Sequence, residues 1–515
     1  MAKVTKFVLD GGDATGKSSV VAYLTKMYGH LYKFQDRGTL TKLSDVYEDS
    51  LPASLPEDEC CIVLDADVDV CMRRLLERNK PRDKYDTYEA IFKYKNRFMR
   101  LAIKYQTYYV DTTHYTLEEV CAIVAGIIRS HVAETITDKN KYKLPNPDLF
   151  TQEMFRKLPL VAEGYSKIVR AIDEKYTLIE YKPTVYSHKQ RREGVIPYTD
   201  QERMSMTRNI LYIFDIEQIP HAYIYIGNKY VLCRRLDPKR DIPPVEVIVK
   251  KCCLGTDKHR YYWIDGELDR YGNPIVTNDN REYSDLVVRF DYRNPNHGYV
   301  VKVKPGITEV ILSPLSYMPK DFNADSLSFT DHKVKSPSGT VITIKVPNYV
   351  PDYVKKLFAS AVPKAFVISN PDDGCTDIAL ALPHYIPPDL EEALKGDPVI
   401  SDKRIGDEAL CDDLADKFIN VAETKKLALK TFKVLDKHFA AMGIYFQDVC
   451  FMIDRSGSFH YSEVSQDCGR YKKIDVTGMT DLDKDCWRNG SSSDTVHEKW
   501  RQLTQITKEY VKPIY

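Results

Sequence analysis

The sequence predicts an α/β domain built on a parallel sheet, followed by an α+β domain, and three observations carry that expectation. Residues 6–130 alternate short apolar runs with helical patterns, the rhythm of parallel strands joined by crossover helices. Between about 132 and 147 the chain turns polar (ETITDKNKYKLPNPD), with two prolines and no periodicity, which marks a boundary. Beyond it, runs rich in β-branched and aromatic residues are followed by two helical patterns, as in an antiparallel or mixed sheet flanked by helices.

Taken in order, KFVLD at 6–10 reads as the first strand and a helix opens after Lys17. LYKFQ, CCIVLDAD at 60–67 and YYVDT continue the sheet. VCMRRLLERN, a long stretch over about 88–107 and LEEVCAIVAGII supply the helices. The expected first domain is 1–135, joined through a linker at 136–147 to a second domain over 148–515. The strands of that second domain read as YTLIEY, HAYIYIG, KYVLCRRL, VEVIVKKCC, LVVRFDY, YVVKVK, TEVILS and TVITIKV. Its helices read as GDEALCDDLADKFINVAETKKLALKTFKVLDKHFAAMG and HEKWRQLTQITKEYV.

Composition excludes several classes. With 515 residues the chain holds more than one core, and 74 basic side chains balance 74 acidic ones, so no global field draws it to nucleic acid or an anionic membrane. The twelve cysteines show no CxxC pair, which argues against a zinc or dithiol motif and for a reducing, cytoplasmic setting. MAKVTKFVLDGG lacks the apolar stretch of a signal peptide. No run approaches the 18 apolar residues of a membrane span.

The strongest local signal is Gly11-Gly12-Asp13-Ala14-Thr15-Gly16-Lys17-Ser18, followed by Ser19, between a strand and a helix. It fits the phosphate-binding pattern G-x-x-x-x-G-K-[ST]. Small residues let the backbone curl so that N–H groups face phosphate oxygens, and the helix N-terminus adds its positive end. Lys17 is expected on the β and γ phosphates of ATP, and Ser18 on magnesium, with Asp36 as a second magnesium candidate.

FVLDGGDATGKSS resembles the opening of thymidylate kinases and related deoxynucleotide kinases. On that resemblance Asp10 and Asp13 are acceptor-side carboxylates, and Asp36-Arg37, followed by a helix to Tyr47, matches the motif whose arginine contacts the acceptor phosphate. Leu64-Asp65-Ala66-Asp67 and VCMRRLLERNKPRDKYD resemble the strand, helix and arginine-bearing lid that closes over ATP, which makes Arg74, Arg78 and Arg82 lid candidates. The intervals from Lys17 to Asp36 and from Arg37 to Leu64 are shorter than in that family, as though one βα unit were missing. The resemblance therefore implies a P-loop kinase fold over about 130 residues whose acceptor is a deoxynucleoside monophosphate, or a modified base that could lie within DNA. A shortened acceptor region leaves room for either.

In the second half, five separated segments in order resemble SAICAR synthetase (phosphoribosylaminoimidazole-succinocarboxamide synthase). Glu163-Gly164-Tyr165-Ser166-Lys167 matches its nucleotide loop. QIPHAYIY with IPPVEVIVKKCCLGT supplies Glu246, Lys250, Gly255 and Thr256. GDPVISD supplies Asp397, with FDYRNPNHG as a rival for the same place. YSEVSQDCGR supplies Glu463, Ser465, Asp467 and Arg470, and LDKDCWR supplies Lys484 and Arg488. The resemblance implies an α+β domain that forms an amide after ATP-dependent phosphorylation of a carboxylate, with an insertion over about 260–390. The chain departs from that family where Asp448-Val449-Cys450-Phe451-Met452 replaces a lysine and a glutamate by Cys450 and Met452, and where Ser462 replaces an aspartate. Those losses thin a magnesium site, so a half that binds without catalysis stays open, as does an oligomeric assembly.

The remaining features read as structural. His188, His221 and His460 lie in strand-like runs without metal-ligand spacing. RRLDPKR reads as a solvated loop, and HKQRREG as a loop that could instead face phosphate. The 36 tyrosines read as core and cross-strand pairs rather than base-stacking platforms.

Overall fold

The computed structural model describes residues 6–513, except 79–80, 82, 133–140, 165, 188–191, 255–264, 276–281, 294–297, 304–305, 312–321, 336–340, 353–354, 357–358, 360–365, 371–374, 382–399, 403–407 and 477. It divides into two compact units. The first comprises Met1–Ser187, Glu193–Arg289 and Asp412–Tyr515, and the second His188–Arg192 and Phe290–Cys411.

The first unit opens with β1 (Lys6–Asp10), α1 (Lys17–Tyr28), β2 (Lys33–Asp36), α2 (Thr39–Leu43), β3 (Glu59–Asp65), α3 (Val68–Glu77), α4 (Tyr88–Tyr105), β4 (Tyr108–Asp111) and α5 (Leu117–Val132). The four strands are all parallel, in the order β2-β1-β3-β4. Both faces are covered, which is why KFVLD and CCIVLD are continuous apolar runs. Phe7, Leu9, Ile62 and Leu64 pack under Val20, Leu24, Val124 and Ile128. Val8, Cys61 and Val63 point the other way, onto Leu40, Phe98 and Leu101. The helix expected up to Tyr47 is shorter: α2 ends at Leu43, and a 3-10 turn, Glu48–Ser50, follows.

The chain continues through α6 (Gln152–Lys157), β5 (Leu160–Glu163), β6 (Lys167–Ala171), β7 (Tyr176–Tyr181), β8 (Thr184–Ser187), β9 (Arg192–Val195), α7 (Thr199–Ile216), β10 (Tyr223–Ile226), β11 (Tyr230–Arg234) and β12 (Val245–Cys252). An antiparallel sheet runs β10-β11-β7-β6-β5. A second one pairs β12 with Ile444–Phe451, that strand with Gly469–Asp475, and that in turn with Gly478–Asp481. Helices Val421–Ala441 and Ser493–Val511 complete the unit, the latter packed along α7. The long helix expected from 406 onward is broken. Glu408–Leu410 is a strand, Asp412–Ala415 a single turn, and Asn420 restarts the helix by accepting from Glu423 N at 3.1 Å, the competition for backbone N–H groups that makes asparagine an N-cap.

The second unit is built mainly of strands, with a 3-10 turn at Ala324–Ser326 and helical backbone at Asp352, Lys355, Lys356 and Ala359. Gly298–Val303 lies between Cys375–Ala381 and Ile400–Asp402, and Phe366–Asn370 flanks the former. Glu309–Ile311, Val341–Pro347 and Phe329–Lys335 form a separate three-stranded sheet.

Within the first unit a polar seam joins the parallel-sheet half to the rest. Arg100 on α4 forms a buried ion pair with Asp215 on α7, and Asn96 donates to the same carboxylate at 2.8 Å. Arg97, fully buried, donates to Ser44 O at 3.2 Å and lies 3.4 Å from Glu48, which also accepts from Tyr212 at 3.1 Å. Burial alone would raise the Asp215 carboxyl, but Arg100 and His221 override it and hold it below its ordinary range.

His460 is almost wholly buried, its Nε2 2.8 Å from Thr431 Oγ1. Burial, reinforced by His221, pushes its pKa from 6.5 down to about 3. A histidine kept neutral in the fold contributes stability that is complete above pH 6.5 and is lost as pH falls from 6.5 towards 3, at about 1.4 kcal/mol per pH unit. His460→Gln keeps a partner for Thr431 and removes this proton uptake. Urea midpoints at pH 7 and pH 5 should show a loss on acidification that is about 2 kcal/mol smaller in the variant.

Candidate functional site

The loop after β1 has the backbone that its sequence demands. Gly11 has φ +137°, and a Cβ there would stand 2.1 Å from Leu64 O on the neighbouring strand; Gly16 caps α1 at φ +94°. Ala14 sits at φ 61°, left-handed without being glycine. The turn is pinned by Thr15 Oγ1, which donates to Gly12 O at 3.0 Å. Lys17, 5% exposed, donates to the same carbonyl at 2.5 Å. Burial lowers its pKa against the pull of Asp13, Asp36 and Asp10. Ser18 Oγ donates to Asp36 Oδ2 at the end of β2, and Ser19 is exposed in the first turn of α1.

Two buried carboxylate oxygens here have no hydrogen-bond partner among the described residues, Asp36 Oδ1 and Asp10 Oδ2. Asp10 uses its other oxygen to cap α2, accepting from Gly38 N at 2.8 Å and from Thr41 N at 3.0 Å. Arg37, at φ 64°, reaches back to Asp13 at 2.6 Å. Carboxylate oxygens of Asp13, Asp83 and Asp86 lie within 4.8 Å of one another. Arg74 contacts the loop and the end of β4, with Nη2 donating to Thr112 O at 2.8 Å and Nη1 reaching Ala14 O at 3.4 Å. Arg78 is exposed at the C-cap of α3, and Arg82 lies outside the described residues. Asp65, one residue past Leu64, is wholly buried and receives Lys95 at 2.6 Å and the Tyr109 hydroxyl.

The second constellation gathers most of the residues expected of the second half. Lys167 Nζ lies 3.0 Å from Glu463 Oε1 and 2.9 Å from Ser462 Oγ. Arg203, fully buried on α7, closes on the same Glu463 carboxylate, and the Tyr181 ring lies beneath both cations at 4.9 Å. Lys484 holds Asp467 at 2.8 Å. Arg488 holds Asp485 at 2.7 Å, Asp485 meets Arg470 at 3.0 Å, and Arg470 pairs with Asp448, which lies 3.4 Å from Lys250. Glu246 sits beside this chain, 3.4 Å from Cys450 Sγ. Burial opposes ionisation of Asp467, yet Lys484 and Arg203 hold its pKa at about 2. Arg203 and Lys167 likewise keep Glu463 below its ordinary value against burial. Gly255, Thr256 and Asp397 lie outside the described residues.

No family model matches the chain. A curated relative, the "bifunctional cordycepin biosynthesis cluster protein 3" of Cordyceps militaris, is 23% identical over 603 residues. That alignment takes in 98% of this chain and 60% of the relative, so the chain spans about 60% of that protein's length. Among solved structures the chain is similar to phosphoribosylaminoimidazole-succinocarboxamide synthase from Ehrlichia chaffeensis, at 13% identity and TM-score 0.39 over 68% of this chain and 98% of that one. It is also similar to the SAICAR synthase of Saccharomyces cerevisiae, at 12% identity and TM-score 0.35, over 68% of this chain and 94% of the other.

Sequence reasoning missed Arg203, Lys95 and the Arg100–Asp215 pair. A signal exists for Arg203: it shares an apolar stripe with Met206, Ile210 and Ile213, all buried at i, i+3, i+7 and i+10, and a charge within such a stripe needs a buried partner.

Proposed function

We propose that the chain is an ATP- and Mg2+-dependent enzyme of nucleotide metabolism that carries two sites. The N-terminal loop transfers the γ-phosphoryl group of ATP to a nucleotide-type acceptor, and the second half is an ATP-dependent ligase-type domain. The observation that carries the reading is the set Lys17, Ser18 and Asp36 at the N-terminus of α1. A buried ammonium, a hydroxyl and a carboxylate with a partnerless oxygen suit phosphate oxygens and a hard cation. Bound there, Mg2+ would neutralise the β and γ oxygens, with Ser18 and Asp36 as its holders. Lys17 and the exposed Arg78 would oppose charge that develops on the transferred group, while Asp13 and Arg37 face the acceptor.

In the second half, Lys167 would meet nucleotide phosphates, and Lys250, Arg470, Lys484 and Arg488 an anionic substrate. ATP would phosphorylate a substrate carboxylate, and an amine would displace inorganic phosphate to leave an amide. The Cordyceps relative's description as bifunctional is in keeping with two chemistries on one chain. A binding role without turnover is the second reading for this half, favoured by Cys450 and Met452 where a lysine and a glutamate would stand.

ADP release from ATP in the presence of deoxynucleoside monophosphates, and then of DNA, tests the kinase reading. Release should depend on the acceptor and on Mg2+. Asp36→Asn should raise the Mg2+ concentration needed for half-maximal rate by about tenfold or more, the loss typical of removing a contributor to a metal site. An unchanged Mg2+ requirement removes Asp36 from that role.

A further inference from the structure

We propose that Tyr85, braced by Tyr94, is the shelf on which the acceptor's nucleobase stacks, an assignment that rests on the kinase reading of the N-terminal site. Tyr85 is 38% exposed, with Lys84 Nζ over the ring at 4.9 Å from its centroid, a partly open aromatic surface beside a cation. Its backbone is tied to the acidic group beside the loop: Tyr85 N donates to Asp83 Oδ1 at 2.7 Å, and Asp83 N to Asp86 Oδ2 at 3.1 Å. The Asp83 and Asp86 carboxylates lie within 4.8 Å of Asp13, and Asp13 holds Arg37, so the backbone that carries Tyr85 is tied to a carboxylate that neighbours the acceptor-side Asp13.

Its support is built. Tyr85 and Tyr94 meet edge to face with centroids 6.1 Å apart, and Tyr94 packs in turn on Phe98 at 6.4 Å. Asp45 fixes Tyr94 by accepting its hydroxyl at 2.9 Å, and Lys93 lies 3.4 Å from the same carboxylate. Phe98 belongs to the core under β1 and β3, so the shelf is anchored to the sheet that carries the loop. A base offers a flat π face whatever its identity, and stacking on one aromatic side chain is sequence-tolerant. The shelf therefore sets affinity for a base-bearing acceptor without choosing among bases.

The test compares wild type, Tyr85→Ala and Tyr85→Phe in acceptor-dependent ADP release with the four deoxynucleoside 5′-monophosphates. Tyr85→Ala should raise the acceptor KM about 10- to 100-fold with the ATP KM unchanged, while Tyr85→Phe stays near wild type. Tyr85→Phe, which keeps the edge-to-face contact with Tyr94, should match the wild-type thermal midpoint, and Tyr85→Ala should fall only slightly below it, so a structural loss does not account for a rise confined to the acceptor KM. An unchanged acceptor KM in Tyr85→Ala, or an equal rise in both KM values, overturns the shelf. Absence of acceptor-dependent release in the wild type overturns instead the kinase reading on which it rests.

Discussion

On the proposed kinase reading, Lys17→Ala should lower acceptor-dependent ADP formation by about 100- to 1,000-fold, the usual loss when one preorganised group that stabilises transferred charge is removed. The side chain is 5% exposed and rests on Gly12 O, so its ammonium is already desolvated and held in place at the loop. Alanine suits the first turn of α1, and Thr15 still pins the loop. The variant should therefore fold like wild type by circular dichroism while losing turnover. Retention of more than a tenth of the rate would take Lys17 out of the chemistry.

Asp215→Ala destabilises the protein by about 3–5 kcal/mol, the cost of stranding one member of a buried pair. Arg100 would lose its carboxylate, and Asn96 and His221 an acceptor, in a layer where Arg97 and Glu48 are also packed. The effect should appear as a lower urea midpoint. Replacing both partners, as in Arg100→Met with Asp215→Leu, should recover much of the loss, because a well-packed apolar pair replaces a buried ionic one at little cost. A change below about 1 kcal/mol in the single variant would show that the seam between α4 and α7 opens to water.

The strands were legible because burial on both faces writes itself as a run of apolar residues: KFVLD and YTLIEY match β1 and β7 residue for residue. The glycine-rich loop was legible because its residues are contiguous and its backbone needs are local, as Gly11 against Leu64 O shows. Arg203 and Glu463 are 260 positions apart, and Arg100 and Asp215 are 115 apart, so nothing local could pair them. TDQERMSMTRN holds no continuous apolar run that would announce a buried helix, yet Arg203 and Asn209 within it, and Asp215 beyond it, are all buried on α7. The break at Asn420 was hidden in the same way, because GDEALCDDLADKF keeps a helical rhythm across a strand and a turn.

The most direct test of the central claim follows the γ-phosphoryl group itself. ATP labelled at the γ position is incubated with Mg2+, the wild-type chain and each candidate acceptor, and the label is located by chromatography. The label should appear on the acceptor, and Lys17→Ala should abolish that transfer. Recovery of all the label as inorganic phosphate, with or without acceptor, would contradict phosphoryl transfer at the N-terminal loop and leave ATP consumption to the second half.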